Sequence, residues 1–274
     1  MKQQRSSQTP MPVNKKKFKV GYLTDCGLER SLNEDIFYVN EDIGLFIVAD
    51  GMGGHNAGEV ASSFAVTVVS AIIEEELPVA KDPVELVNQA ISRANATILE
   101  KSLNNTAWNE MGTTLLVALF ADHGLVIGHV GDSRAYSVGG CQIKQLTEDH
   151  TFVAEWLKEG RINKEQARTH RQRHGLTEAL GVTKEVEPDI SVRPWDESSG
   201  CLLLCSDGLT EMIEDEEILA IVDSSSNPQQ ACSNLVAAAN QKGGVDNITV
   251  ILVCQEKYLT GTARSTYQTG MKSP

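Results

Sequence analysis

Acidic residues recur in this chain where apolar runs begin or end. Asp50 closes LFIVAD and is followed by Gly-Met-Gly-Gly-His, Asp132 closes VIGHVGD, and Asp207 closes CLLLCSD ahead of Gly208. Asp246 opens DNITVILV, and Glu34-Asp35 opens DIFYVN. Taken singly, each aspartate suits a turn, where its side chain bonds nearby backbone. Together they call for a fold whose strand mouths converge on one cleft. Carboxylates meeting there, away from water, are costly unless cations compensate them. Oxygen donors without cysteine or a paired-histidine motif select Mg²⁺ or Mn²⁺ over zinc.

The segments between these acids read as short strands and amphipathic helices. KFKVGYLTD, DIFYVN and GLFIVAD are rich in β-branched and aromatic residues and bounded by Asp, Asn and Gly, as strands are. Val60, Phe64, Ala65, Val68, Val69, Ile72 and Ile73 recur at helical spacing. In Asp82-Pro83-Val84-Glu85 the sequence predicts an N-cap, a proline at the first helical position and a reciprocal Glu, ahead of a second helix. TTLLVALF, GLVIGHVGD, RAYSV and CQIKQL read as one antiparallel meander. A polar, helical stretch over about 150–175 interrupts the strands. DISVRP and CLLLCSD follow as strands, then helices from near Asp215 and from Asn227-Pro228, and NITVILV as the last strand. This order lacks the regular strand–helix alternation of a parallel sheet. It predicts an α+β fold, a four-layer α-β-β-α sandwich of two antiparallel sheets flanked by helices.

The charge balance narrows the function classes. The chain has 37 acidic and 24 basic residues, a net charge of −13. Six of the basic residues (Lys2, Arg5, Lys15, Lys16, Lys17, Lys19) precede residue 20, where there is no acid. The rest of the chain is therefore strongly acidic, which argues against a general nucleic-acid binder, since phosphate contacts need clustered Lys and Arg. No apolar run approaches the roughly 18–20 residues of a membrane span. The basic N-terminus has no hydrophobic stretch behind it, so no secretory signal is expected. Residues 1–17 are expected to form a basic disordered leader, 18–256 a catalytic domain, and 257–274 a flexible tail. The six cysteines do not read as a disulfide scaffold. Cys201 and Cys205 in CLLLC share one face of a strand but lack partners at zinc spacing, so buried free thiols in a cytoplasmic, monomeric protein are expected.

Eight segments, in order, carry a family resemblance: TDCGLERSLNED, VADGMGGHNAGEVAS, MGTTLL, HVGDSRAY, LTEDHT, LTEALG, LLCSDGLTEM and GGVDNITV, spanning residues 24–250. They resemble the metal-dependent Ser/Thr protein phosphatases of type 2C in their compact bacterial form. The resemblance implies hydrolysis of phosphoserine and phosphothreonine in proteins, in opposition to Ser/Thr kinases. It casts Asp50 as the carboxylate bridging two catalytic ions, Mn²⁺ or Mg²⁺, with the Gly51 carbonyl, Asp207 and Asp246 as further ligands. Asp35 and Glu34 would hold metal-bound waters, and Asp132 with Asp207 would form a weaker third-metal site. Arg30 would clamp the substrate phosphate. Two such cations bridge a water and lower its pKa from about 15.7 towards roughly 7, so that the hydroxide can attack phosphorus in line.

His55, directly after the metal-binding loop, is the candidate general acid for the departing Ser or Thr oxygen. His129 reads as a core histidine, His150 as a residue that orients a loop, and Arg134 as the partner of a nearby carboxylate. Glu211, at a position sometimes acidic in relatives near the third metal, is left outside the expected site. Residues 150–178 match the family's flap beside the active site, and there the chain departs from the pattern. Glu178 stands where bacterial relatives often carry arginine, and Gly175 loosens the backbone. The flap also holds Arg161, Lys164, Arg168, Arg171 and Arg173. They fit a solvated helix face, or a surface that attracts acidic phosphopeptides. Two rival readings are a catalytically dead phosphoprotein binder, which should have lost a metal carboxylate, and a divalent-cation sensor, which leaves His55 and Arg30 without a role.

Overall fold

The structure is a computed structural model that describes residues 18–52, 57–122, 124–196 and 199–255. The basic leader, the tail and His55 lie outside the described residues. One sheet has the strand order β1 (Phe18–Asp25), β11 (Ile248–Gln255), β10 (Cys201–Cys205), β7 (Arg134–Gly139) and β8 (Gln142–Gln145). The other runs β2 (Asp35–Asn40), β3 (Leu45–Met52), β5 (Leu115–Ala121), β6 (Gly124–Val130) and β9 (Asp189–Arg193), with β4 (Gly112–Thr113) paired to β3. Every pairing is antiparallel.

Alternation along the strands builds the four layers. In β3, Leu45, Ile47 and Ala49 pack with α1 (Gly58–Glu76) and α2 (Pro83–Asn104), whereas Phe46 and Val48 face the other sheet. In β10, Cys201, Leu203 and Cys205 pack against α6 (Asp215–Ser224) and α7 (Pro228–Gln241), and Leu202 and Leu204 point into the space between the sheets. Strands buried on both faces need apolar residues at every position, which is why LFIVA and CLLLC are unbroken. The sandwich is the predicted one.

Three expectations need correction. The run from β5 to β8 is not one meander. β5 and β6 belong to one sheet, β7 and β8 to the other, and the chain changes sheets at Gly131–Ser133. Gly131 has φ 99°, and a Cβ there would stand 2.7 Å from the Thr114 side chain, so this crossing requires glycine. Asp82 does cap α2, but its carboxylate accepts from Val84 N–H (2.9 Å), and Glu85 accepts from Gln89 rather than reaching back. The complete reciprocal box lies at α4 (Lys164–Thr169), between Asn163 and Gln166. Finally, Cys201 and Cys254 are joined in a disulfide. They are register partners across β10 and β11, a pairing between strands that the spacing within CLLLC does not reveal. Cys26, Cys141, Cys205 and Cys232 are free. Among the described residues no helix is long and apolar enough to cross a membrane.

Candidate active site

The strand ends converge as the acid pattern predicts. β2 and β3 pair so that Asp35 stands opposite Asp50. The Asp50 backbone is held firmly: its N–H donates to Thr114 Oγ1 (3.0 Å), and its carbonyl accepts from Thr114 N–H (2.8 Å) and Thr113 Oγ1 (2.9 Å). Gly51 tolerates no side chain, since a Cβ would lie 2.2 Å from the Gly58 carbonyl oxygen at the start of α1. Asp207 follows β10 and opens α5 (Asp207–Thr210). Asp246 precedes β11, and its neighbour Asn247 ties the mouth together. The Asn247 side chain donates to the carbonyls of Cys26 (3.0 Å) and Leu32 (2.9 Å) and accepts from Glu34 N–H (2.8 Å). Asp132 sits at the change of sheets.

A cavity of about 510 Å³ lies over these ends, lined by Glu34, Asp50, Gly51, Asp132, Asp207 and Asp246, with Arg30 also on its wall. Asp35 is buried beside it, its Oδ2 accepting from Ser206 Oγ at 2.7 Å. All seven residues expected to hold or orient metal are thus brought together. A larger cavity of about 740 Å³ lies in the flap, lined by Ile162, Gln166, Thr169, His170, Arg171 and Gln172, and contains no carboxylate.

The electrostatics of the smaller cavity are those of crowded, desolvated acids. Burial first, and then repulsion from Asp207 and Asp246, pushes Asp35 up to about 7. Burial and Asp246 raise Asp207 to about 6, although hydrogen bonding to Asp50 offsets part of this. Asp50 is pushed well above the carboxylate range by burial and by the charges of Asp35, Asp207, Asp132 and Asp246. Asp132 is raised likewise by burial and by Asp207, and Glu34 is raised by burial. Asp35 Oδ1 and Asp207 Oδ1 are buried without a hydrogen-bond partner. Orphaned carboxylate oxygens among mutually repelling acids suit divalent cations, so the donor set fits oxygen-ligated Mg²⁺ or Mn²⁺.

Arg30, half-exposed at the rim, donates from Nη2 to Asp246 Oδ2 at 2.6 Å. The flap comprises α3 (Phe152–Lys158) and α4 and is closed at its base by a bridge between Thr151 and Leu176 and by Thr177 N–H donating to the His150 carbonyl (2.9 Å). Of its basic residues, Arg161 pairs with Glu159 and Arg168 with Glu214, whereas Arg173 lines the carboxylate cavity. Arg134 grips Asp149 through Nε (2.8 Å) and Nη2 (2.6 Å), and His129 is buried, both as expected.

Two residues outside the expected set belong to the site. Glu211 lines the cavity, pushed up to about 7 by burial and by Asp207, and its Oε1 lies 2.6 Å from His174 Nδ1 of the flap. Glu211 was recoverable, because four residues after Asp207 is one helical turn, and its N–H donates to the Asp207 carbonyl. Nothing local marks His174, a loop residue placed by the return of the flap.

A family model described as protein phosphatase 2C matches residues 13–248. The serine/threonine phosphatase stp of Listeria monocytogenes (serotype 4b, strain F2365) is 41% identical over 248 residues, covering 89% of this chain and 97% of its own. Among solved structures, the Mycobacterium tuberculosis serine/threonine phosphatase PstP/Ppp superposes with a TM-score of 0.80 at 35% identity, covering 87% of this chain and 99% of its own. A structure of the catalytic domain of the serine/threonine protein phosphatase PstP in complex with two manganese ions gives a TM-score of 0.77 at 34% identity, covering 86% and 97%.

Proposed function

The chain belongs to the protein phosphatase 2C family and is a metal-dependent serine/threonine protein phosphatase, and from that premise we propose which residues perform the reaction. Asp50, the Gly51 carbonyl, Asp207 and Asp246 hold two divalent cations, Mn²⁺ or Mg²⁺, and Asp132 with Asp207 holds a weaker third. When bound, such ions supply neutralisation of phosphate charge and acidification of a water. The observation that carries this reading is the set of carboxylates around one 510 Å³ cavity, with buried oxygens of Asp35 and Asp207 left unpartnered.

The chain's own groups do the rest. Asp35 and Glu34 accept hydrogen bonds from water in the cavity and so orient the attack. Ser206, donating to Asp35 Oδ2, leaves Oδ1 as the free acceptor. Arg30 keeps guanidinium N–H groups beyond its bond to Asp246, and these meet the equatorial oxygens of the substrate phosphate. His55 protonates the departing Ser or Thr oxygen. Phosphoserine and phosphothreonine arise from kinases, so the reading extends to a protein that reverses Ser/Thr kinase action. Manganese-dependent release of phosphate from a phosphothreonine peptide, abolished in Asp207→Ala and Asp246→Ala, is the expected result. Undiminished release by both variants would overturn the assignment.

A further inference from the structure

We propose that the base of the flap carries a second kind of cation site, apart from the carboxylate cavity, in which His129, His150 and Asp189 bind Zn²⁺. One ligand atom from each residue lies within 4.8 Å of the others. The three come from different parts of the fold. His129 on β6 and Asp189 on β9 are register partners, and His150 begins the flap. Two imidazole nitrogens and one carboxylate oxygen are a donor set suited to zinc, with a fourth position left for water. Ligands about 2.0–2.2 Å from zinc sit roughly 3.3 Å apart, so atoms within 4.8 Å of one another need close by at most about 1.5 Å.

The surroundings prepare both imidazoles. His129 Nε2 is bonded to the Glu148 carbonyl at 2.8 Å and so carries the proton, leaving Nδ1 with a free lone pair. A backbone carbonyl on the far nitrogen is the usual support of a ligating histidine. Burial, and then the neighbouring His150, holds His129 below its ordinary pKa, in the neutral form that ligates. The two rings lie 4.6 Å apart between centroids, with their planes tilted by 32°.

His150 Nε2 already lies 3.4 Å from Asp189 Oδ2. Its Nδ1 has two neighbours, the Gly131 N–H at 3.3 Å and Glu178 Oε2 at 4.0 Å. That Glu178 oxygen is buried and has no hydrogen-bond partner. When Nε2 takes the metal, the single imidazole proton resides on Nδ1 and is accepted by Glu178, while the long bond from Gly131 is released. No proton is gained or lost overall. Glu178 thereby completes a carboxylate–histidine–metal arrangement.

The position gives the site a consequence. His150 and Glu178 are the first and last residues of the flap, so a cation held here ties both ends to the sheet edge. Its pair of histidines also distinguishes it from the carboxylate cavity, where His174 is the single imidazole among the described lining residues and stands with Asp207 and Glu211, so a variant that removes Asp207 lets experiment separate the two.

The test is calorimetric titration of the full chain with Zn²⁺ in excess Mg²⁺, repeated on an Asp207→Asn/Asp246→Asn double variant that disables the carboxylate cavity. Zinc should bind to the double variant at one ion per chain with wild-type affinity. Adding Asp189→Asn should weaken it by about tenfold or more. Asp189 is 66% exposed, so this change spares the fold. Backbone amide exchange over 150–153 and 176–178 should slow with Zn²⁺, and not in Asp189→Asn. No zinc binding by the double variant, or the same affinity with and without Asp189, would overturn the proposal.

Discussion

Asp35 and Asp50 are direct register partners across β2 and β3, two carboxylates facing each other at the end of a strand pair. Like charges so placed oppose folding. Asp50→Asn should therefore raise the melting temperature of the protein in EDTA, by on the order of 5 °C, while abolishing manganese-dependent turnover. A variant both inactive and less stable in EDTA would contradict this account of the charge.

The same crowding sets the pH dependence of the metal-free protein. Asp35 titrates near 7 and Asp207 near 6 when folded, against an ordinary carboxylate value of 3.8. Between those values the folded state binds more protons than the unfolded one, so stability falls as pH rises. In EDTA the melting temperature should fall steadily from pH 4.5 to 7.5. Saturating Mn²⁺ should flatten or reverse that slope, as calorimetric scans at several pH values will show.

Asn247 satisfies backbone groups of Cys26, Leu32 and Glu34 at once. Truncation strands three part-buried donors and acceptors, each worth about 1 kcal/mol. Asn247→Ala should cost about 3 kcal/mol in urea unfolding and should also weaken Mn²⁺ binding, because the same bonds position Asp246 and Glu34.

His55→Ala should keep its metals by calorimetry but lose turnover. The loss should be greatest for phosphothreonine peptides, whose alkoxide leaves poorly, and smallest for p-nitrophenyl phosphate. Turnover of the peptide at the wild-type rate would remove His55 from the reaction.

Arg171 and Arg173 line the flap cavity and the carboxylate cavity respectively, whereas Arg161 and Arg168 are committed to Glu159 and Glu214. Replacing the first pair with Gln should raise KM several-fold for an acidic phosphopeptide and much less for p-nitrophenyl phosphate. Equal effects on both substrates would show that the flap reads no peptide charge.

Much of this was legible in the sequence for a definite reason. β3, β10 and β11 are buried on both faces, so their apolar runs are unbroken and their acidic ends stand out. Contacts between distant segments left no such trace. The pairing of Arg30 with Asp246 spans 216 residues, and the change of sheets at Gly131 depends on partners far along the chain. Glu85 departs from the expected reciprocal bond because a capping pattern states which bonds are available, not which one wins. Here Gln89, one turn on, takes its carboxylate.

The link between Cys201 and Cys254 fastens one end of two neighbouring strands whose other ends lead to Asp207 and Asp246. Sliding one strand past the other by a single residue would turn its side chains to the wrong face and carry the two aspartates out of alignment. A covalent staple six residues from Asp207 and eight from Asp246 forbids that slip, so the spacing of the acids is guarded from the far end of the two strands.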